Sequence, residues 1–174
     1  MVSRGFENNN PGNLVITSAS WKGKVPLHLN TDGHFEQFTQ MYWGLRAMMI
    51  DIVGDIVKDG KNTLRKLINE YAPAFENNTS AYINYVSNKT GLKPDDVIKL
   101  DKSLLSKIIR AKVEVENGKD QADKYYKDKD FNKAFSELPL TTLAQINANQ
   151  TFPFLIIIAA ITLIWLITFR LIKK

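Results

Sequence analysis

Apolar residues recur at intervals of three and four along most of the first 118 positions, the spacing of one face of an α-helix. The broadest such stripe lies in 42–58 and predicts a helix at the centre of a hydrophobic core. Its apolar residues are Leu45, Met48, Met49, Ile52, Val53, Ile56 and Val57. Shorter stripes predict helices over 63–71, 79–88 and 103–115, each beginning near a polar residue that can cap a helix. The pattern therefore predicts a compact, mainly helical domain.

Two short segments have the spacing of extended chain instead. They are 14–17 and 35–39, and the residues between them are polar and include glycine, which predicts a loop. We therefore predict a small β-hairpin beside the helices, so that the fold class is mainly α in an α+β arrangement.

After residue 118 the pattern changes twice. Residues 119–137 are strongly polar and predict a solvated helix or helical hairpin, and the uncharged positions after them predict a linker. Residues 152–169 carry no charge, and a helix of this length extends about 27 Å, close to the thickness of a bilayer's hydrocarbon core. We predict a domain over 1–118, a polar stalk and linker over 119–151, and a transmembrane helix over 152–172. A buried core helix is the alternative for the last segment.

Two features of the chain ends favour opposite membrane orientations. The first residues contain no apolar stretch and predict neither a signal peptide nor a start-transfer segment, so a folded N-terminal domain would stay in the cytoplasm. Arg170, Lys173 and Lys174 follow the apolar segment and favour a cytoplasmic C-terminus. We expect the first feature to dominate, because moving a folded domain across a bilayer requires dedicated machinery.

Composition excludes several kinds of chemistry. The chain has 174 residues, a net charge of +5 and no cysteine, which excludes disulfides, cysteine-ligated metals and thiol nucleophiles. Three of its 23 basic residues lie in the last five positions; without them 20 basic residues accompany 18 acidic ones, so no groove for nucleic acid is predicted. Phosphate-binding loops, GxSxG and HExxH are absent from the sequence. We predict no cofactor and no resident metal; His28, Asp32 and His34 are spaced closely enough for a metal cluster, but surface histidines are the simpler interpretation.

Asparagines, aromatic residues and isolated carboxylates remain, and these groups bind and cleave carbohydrate. Cleavage of a glycosidic bond needs a carboxylic acid to protonate the leaving oxygen, and an apolar surrounding raises the pKa of such an acid. The candidate acids are Glu7, Asp32, Glu36, Glu76 and Glu116. Glu76 lies close in sequence to Tyr71, Phe75 and Tyr82, although capping of the next helix explains the same residues.

Seven short words are spaced along about 1–118. They are RGFENNNPGN (4–13), WKGK (21–24), DGHFEQF (32–38), GLRAM (44–48), YAPAFENNTSAYINYV (71–86), PDD (94–96) and VENG (115–118). Together they resemble small phage virion proteins with a lysozyme-like or lytic transglycosylase-like domain that degrades peptidoglycan. The NNNPGN and W-x-G words are also similar to the sugar-binding half of bacterial flagellar and autolytic glucosaminidases. The resemblance implies a lysozyme-like helical domain with a small hairpin. The chain differs from the family in two respects: no helix that could hold a catalytic glutamate precedes the first word, and Glu7 occupies a position that is commonly basic in the family.

The resemblance also implies site residues. Asp32, Glu76 and Glu116 fall inside the matching words, and we predict Glu76 as the catalytic proton donor with Glu116 as the second catalytic candidate. Capping or a buried ion pair is the alternative role for both. Acetylated amino sugars would be held by amide hydrogen bonds and aromatic stacking. The predicted substrate-binding residues are Asn8, Asn9, Asn10, Asn13, Trp21, Asp32, Tyr42, Asn77 and Tyr82. The asparagines also suit a turn, and the aromatic residues also suit a core.

The combined prediction is a virion-associated enzyme that cleaves cell-wall glycan during host entry, by hydrolysis or transglycosylation. The acetamido or 6-hydroxyl group of the substrate would then serve as the nucleophile. The protein would be anchored in the internal membrane of a phage, inserted from the host inner membrane, with its domain facing the capsid. Its partners would be peptidoglycan, the lipid bilayer and capsid proteins. The alternative is a non-enzymatic virion protein that links capsid and membrane on a retired lysozyme-like fold.

Overall fold

The computed structural model describes residues 1–72 and 78–148 and is mainly helical. Seven α-helices and one 3-10 turn, Leu27–Leu29, are assigned within these residues, and a further helical segment covers 140–148. The α-helices are α1 Arg4–Glu7, α2 Met41–Val57, α3 Leu64–Tyr71, α4 Thr79–Thr90, α5 Lys102–Asn117, α6 Lys119–Tyr125 and α7 Asp128–Ser136.

Helix α2 lies at the centre of the hydrophobic core, as its apolar stripe predicts. Leu45, Met48, Met49, Ile52 and Val53 are completely buried. The helix packs against α3, α5 and α7, and α4 packs against α3 and α5. Because the helices surround α2 on several sides, its buried positions extend beyond a single narrow stripe.

Side-chain caps set the starts of three helices. The Thr63 side chain accepts a hydrogen bond from the Lys66 amide at the start of α3, and Asn78 accepts one from Ala81 at the start of α4. Both residues lie at or directly before the predicted helix starts, residues 63 and 79. Helix α5 is capped by Asp101 and begins one residue before its predicted start at residue 103. Each cap satisfies a backbone amide that has no partner inside the helix.

The predicted β-hairpin is wrong for the residues that the structure describes, which contain no strand. The segments 14–17 and 35–39 do approach each other through one isolated antiparallel bridge, Val15 with Phe35, whereas a second isolated bridge joins Phe38 to Lys24, outside 14–17. The Asn10 amide nitrogen lies 2.9 Å from both the Leu14 and the Glu36 carbonyl oxygens and helps to hold the two segments together. No ladder forms because 35–39 then changes partners: the Gln37 carbonyl oxygen accepts a hydrogen bond from the Val25 amide, and the Phe38 amide donates to the Asn8 carbonyl oxygen.

The predicted transmembrane helix, 152–172, lies outside the described residues. Within 1–72 and 78–148, no helix is long and apolar enough to cross a membrane; the longest, α2, has 17 residues and carries Asp51 and Asp55. The predicted fold class, a helical domain with a hairpin followed by a membrane span, is therefore overturned in favour of a mainly helical fold in the described part of the chain.

Residues 119–146 differ from the predicted stalk and linker, because they return to the core. Helix α7 packs along α2, and this stretch adds several buried side chains to the same hydrophobic cluster as α2. They are Ala122, Tyr126, Phe131, Ala134, Leu138 and Ile146. The polar residues between them face solvent, so the helices are amphipathic rather than detached.

Candidate functional site

A cleft of about 730 Å³ separates the N-terminal segment from the helices. One wall is formed by the N-terminal segment and is largely apolar; it consists of Gly12, Asn13, Leu14, Val15, Thr17, Ala19, Trp21 and Phe35. The other wall is formed by three helices and is charged; it consists of Asp51, Asp55, Glu70, Tyr71, Lys112 and Glu116. The cleft therefore offers one surface for stacking and one for hydrogen bonding and acid–base chemistry.

Helical spacing places the charged side chains. Asp51 and Asp55 are four residues apart on α2, and Lys112 and Glu116 are four residues apart on α5, so each pair shares one face of its helix. Tyr71 is the last residue of α3 and reaches both carboxylates of α2. Three helices thus converge on one group of ionisable side chains.

Asp51 and Asp55 have different surroundings although they share the Tyr71 hydroxyl. The Tyr71 oxygen lies 2.5 Å from Asp55 Oδ2 and 3.4 Å from Asp51 Oδ2. The Lys61 ammonium lies 2.8 Å from Asp55 Oδ1 and 3.1 Å from a Glu70 oxygen. Burial, and then the neighbouring charge of Asp55, raise the pKa of Asp51 above its ordinary value, while Lys112 opposes this rise. Asp51 thus holds its proton to a higher pH than an aspartate in water does.

Glu116 is held as an acceptor of hydrogen bonds on the opposite side of the cluster. The Asn13 amide nitrogen lies 3.1 Å from one of its oxygens and the Tyr82 hydroxyl lies 3.3 Å from the other. The Lys112 ammonium is 3.6 Å from Glu116 and lies over the Tyr71 ring at 3.4 Å. Burial lowers the pKa of Lys112, and the nearby carboxylates oppose this effect. Three side chains, those of Asn13, Tyr82 and Lys112, thus surround the Glu116 carboxyl group.

Hydrogen bonds join the two walls of the cleft across more than a hundred residues of sequence. The Ser3 hydroxyl donates to Asn117 Oδ1 at 2.7 Å, and the Asn117 amide nitrogen donates to the Pro11 carbonyl oxygen at 2.8 Å. The Asn13 bond to Glu116 lies beside them. The end of α5 therefore fixes the N-terminal segment in place.

The raised pKa of Asp51 leads to a prediction about stability. The folded chain binds a proton at Asp51 over a pH range in which the unfolded chain has lost it, so stability falls as pH rises through that range. The asparagine of the Asp51→Asn variant carries no charge at any pH, and we expect the variant to melt about 2–4 °C above the wild type at pH 8. The difference should shrink towards zero as pH is lowered to about 4. Calorimetry of both chains across this range is the measurement.

The matched control for this prediction is Asp59→Asn, at an exposed position just after α2. The control should show no pH-dependent gain in melting temperature, since Asp59 remains in water. A constant difference between wild type and Asp51→Asn at all pH values would contradict the assignment of a raised pKa.

Comparison with known proteins gives the chain a family. Over 120 residues it is 37% identical to Protein P5 of Pseudoalteromonas phage PM2, in an alignment that covers 67% of this chain and 72% of that protein. The chain belongs to the Protein P5 family. No protein-family model matches it. The bacteriophage context predicted from the sequence is confirmed by this relative, whereas the lysozyme-like resemblance stays a prediction.

Four of the predicted site residues are found at or directly behind the cleft of this Protein P5 family member. Asn13, Trp21 and Glu116 line it, and Tyr82 is buried behind it with its hydroxyl on Glu116. The structure therefore places the second predicted acid opposite a predicted aromatic residue. Glu76 and Asn77 lie outside the described residues.

The remaining asparagines of the NNNPGN word support the backbone and do not line the cleft. Asn8 and Asn10 are buried; Asn8 binds Asp32 and Gln37, and Asn10 binds the carbonyl groups described above. Asn9 has a left-handed backbone with φ of 51°, and its amide nitrogen donates to the Phe38 carbonyl oxygen at 2.9 Å. The turn interpretation of this word describes these three residues better than sugar binding.

Asp32 and Tyr42 also lie away from the described lining of the cleft. The Asp32 carboxylate accepts two hydrogen bonds from Arg4 at 2.6 Å and one from the Phe35 amide at 2.8 Å. The Arg4 guanidinium holds the pKa of Asp32 well below its usual range. The ring of Tyr42 packs beside Trp43 at 4.5 Å. Both residues thus stabilise local structure.

Among the described residues, no group of three acidic or histidine side chains is arranged so that it could hold a metal ion.

Sequence inspection missed Asp51, Tyr71 and Lys112 as cleft residues. Asp51 lies outside the apolar stripe of 42–58, and Lys112 lies among the apolar residues of 103–115, so the hydrophobic pattern singles out neither of them. One signal was available: acidic residues at an i, i+4 spacing interrupt an otherwise apolar helix. The partners of these carboxylates come from α3 and α5, and no local pattern relates those helices.

Proposed function

We propose that this protein cleaves the glycan strands of peptidoglycan, with Asp51 as the proton donor and Glu116 as the anionic partner. One observation carries the proposal: a partly exposed carboxyl group with a raised pKa and a carboxylate held by hydrogen-bond donors line the same cleft. Enzymes that cleave glycosidic bonds usually use two carboxyl groups that lie in different environments.

The two walls of the cleft fit an amino-sugar chain. Trp21 and Phe35 offer rings on which the apolar face of a sugar can stack, and Asn13 adds an amide group beside Glu116. The facing helices supply charged and hydroxyl groups for the hydroxyl and acetamido groups of the sugar. A cavity of about 730 Å³ lies within the usual size range of ligand-binding pockets.

The chemistry follows from the different surroundings of the two acids. Asp51 gives its proton to the glycosidic oxygen as the bond from that oxygen to C1 breaks, and the bonding electron pair stays on the leaving oxygen. Glu116 stabilises the positive charge that develops at C1. Water, or the 6-hydroxyl group of the same sugar, then forms the new bond to C1 and returns its proton to Asp51. Water gives hydrolysis, and the 6-hydroxyl group gives an anhydro sugar.

Membership of a bacteriophage protein family supports a role in the phage life cycle. We propose that the protein is a component of the virion and acts on the cell wall of the next host. A cell wall is a barrier at entry, and an enzyme carried in the particle is positioned to open it without new synthesis.

The test is digestion of purified sacculi by the purified full chain, with separation of the released fragments by mass. We expect shortened strands that end either in a reducing sugar or in an anhydro sugar, which is lighter by one water molecule. A Glu116→Gln chain prepared in the same way is the control for a contaminating hydrolase. If a contaminant causes the digestion, both preparations will digest sacculi at the same rate. Sacculi whose strands keep their length in the presence of the wild-type chain exclude the proposed function.

A second candidate function is a non-enzymatic virion protein that binds capsid proteins. The observation in its favour is that most of the cluster is internally paired: Asp55 with Lys61 and Tyr71, and Glu116 with Asn13, Tyr82 and Lys112. Paired groups of this kind also occur where charges only support a fold. Intact strands, together with retention of the protein on purified capsid protein, would favour this candidate.

A further inference from the structure

The Tyr71 hydroxyl lies between two carboxyl groups but carries a single proton. Its oxygen is 2.5 Å from Asp55 Oδ2 and 3.4 Å from Asp51 Oδ2. A phenol donates one hydrogen bond and accepts others through its lone pairs. Tyr71 can therefore donate to only one of the two aspartates at a time, and its contact with the other must be of a different kind.

The geometry decides which aspartate receives the proton of Tyr71. Asp55 is the nearer group, at a distance typical of a direct O–H···O hydrogen bond, and its other oxygen is bound by the Lys61 ammonium at 2.8 Å. Burial and the two neighbouring carboxylates raise the pKa of Tyr71 strongly, so the phenol keeps its proton. Tyr71 thus donates to Asp55, and its lone pair faces Asp51.

We propose that Tyr71 and Asp55 are positioning residues for Asp51: Tyr71 donates its proton to Asp55 and accepts the proton of Asp51. The bond from Asp51 is long, so a substrate oxygen that enters the cleft can replace it as the acceptor. The negative charge of Asp55 also opposes ionisation of Asp51. An effect of Tyr71 and Asp55 on the rate of cleavage rests on the proposed function, in which Asp51 is the proton donor.

Charged groups from every neighbouring element act on Asp51. Lys112 on α5 and Lys61 after α2 favour its ionised form, whereas Asp55 on its own helix opposes ionisation. Glu70 on α3 and Glu116 on α5 line the same cleft as further carboxylates. Asp55 differs from the other carboxylates in its direct bond to the hydroxyl that contacts Asp51, and so its removal should have the larger effect.

The test uses infrared difference spectroscopy of the full chain, which reports a protonated carboxyl group without any substrate. The C=O band of Asp51 is identified as the band that disappears in Asp51→Asn. In the wild type it should persist to a higher pH than the carboxyl band of an aspartate in water. In Asp55→Asn we expect its titration midpoint to fall by about one pH unit, because the opposing charge is gone. Glu70→Gln is the matched control and should shift the midpoint much less.

A second variant protects the test against misfolding of Asp55→Asn. Tyr71→Phe removes the acceptor of the Asp51 proton, so the C=O band of Asp51 should move to higher frequency in this variant. An unchanged band in Tyr71→Phe, or an unchanged midpoint in a folded Asp55→Asn, overturns the proposal. The spectra and the digestion of sacculi test different proposals. If the spectral shifts occur but the wild type does not digest sacculi, only the proposed function is rejected. If the wild type digests sacculi but the shifts do not occur, only the positioning roles of Tyr71 and Asp55 are rejected.

Discussion

Asp51→Asn is expected to slow the digestion of sacculi by a factor of about 10²–10⁴, the usual contribution of a positioned proton donor. Asparagine has nearly the same size and shape as aspartate but has no proton to give to a leaving oxygen. The cleft and its two walls should be preserved, since Asp51 contributes no ion pair to the fold in the described residues and contacts Tyr71 only at 3.4 Å. Strand binding should therefore change little while the rate of cleavage falls. Initial rates of fragment release, measured against binding to sacculi, separate the two effects.

The comparison needs a variant of the same chemistry outside the cleft. Asp59→Asn changes the same side chain at an exposed site just after α2 and should digest sacculi at the wild-type rate. Glu7→Gln, which is also exposed, serves as the matched control for Glu116→Gln. Equal rates for Asp51→Asn and Asp59→Asn would remove Asp51 from the mechanism even if the wild type is active.

Gly44→Ala is expected to destabilise the fold by about 2–4 kcal/mol and to lower the melting temperature by about 10 °C. A Cβ atom at this buried position of α2 would lie 1.9 Å from the Asn9 carbonyl oxygen and 3.2 Å from the Asn10 Cα atom. Both obstacles are backbone, which cannot rotate away as a side chain can. Asn9 is also held by its own left-handed conformation and by its bond to Phe38. The clash must therefore separate the N-terminal segment from the central helix.

The same helix provides the control. Gly54 lies two to three turns later, and a Cβ atom there would meet no atom of the described residues within 4 Å. Gly54→Ala should stabilise the chain by about 0.5–1 kcal/mol, because alanine is the better helix former. Thermal unfolding of both variants gives opposite signs if the close contact at Gly44 is real. Two shifts of the same sign and size would show that the segment does not pack on α2 as described.

Much of the helical framework could be predicted because its causes are local. The spacing of Met48, Ile52 and their neighbours predicts α2, and the caps Thr63 and Asn78 mark helix starts within a few residues of the chain that they affect. The hairpin could not be predicted correctly, because 35–39 changes its backbone partner from Leu14 to Val25 and Asn8. These partners are distant in sequence, and nothing in the alternation of 35–39 indicates the change.

The candidate site was harder to predict than the fold. The type of a residue indicates which interactions its side chain can make, but the packing of distant helices decides which of them it does make. The asparagines of the NNNPGN word have amides that suit a sugar, yet Asn8 and Asn10 use theirs to satisfy buried groups. Asp51 looks like an ordinary solvated residue, but α3 and α5 surround it with Tyr71 and Lys112. Glu116 could be predicted because a resemblance, rather than a local pattern, pointed to it.

The hydrogen bonds between Ser3, Pro11, Asn13 and the end of α5 have a consequence for synthesis. A nascent chain that has left the ribosome only as far as α4 lacks the residues that fix its own beginning. The cleft cannot be completed until the segment that ends at Asn117 has emerged and closed this long loop. Any activity of the cleft is thereby withheld during translation until residues 1–117 have all emerged and folded together.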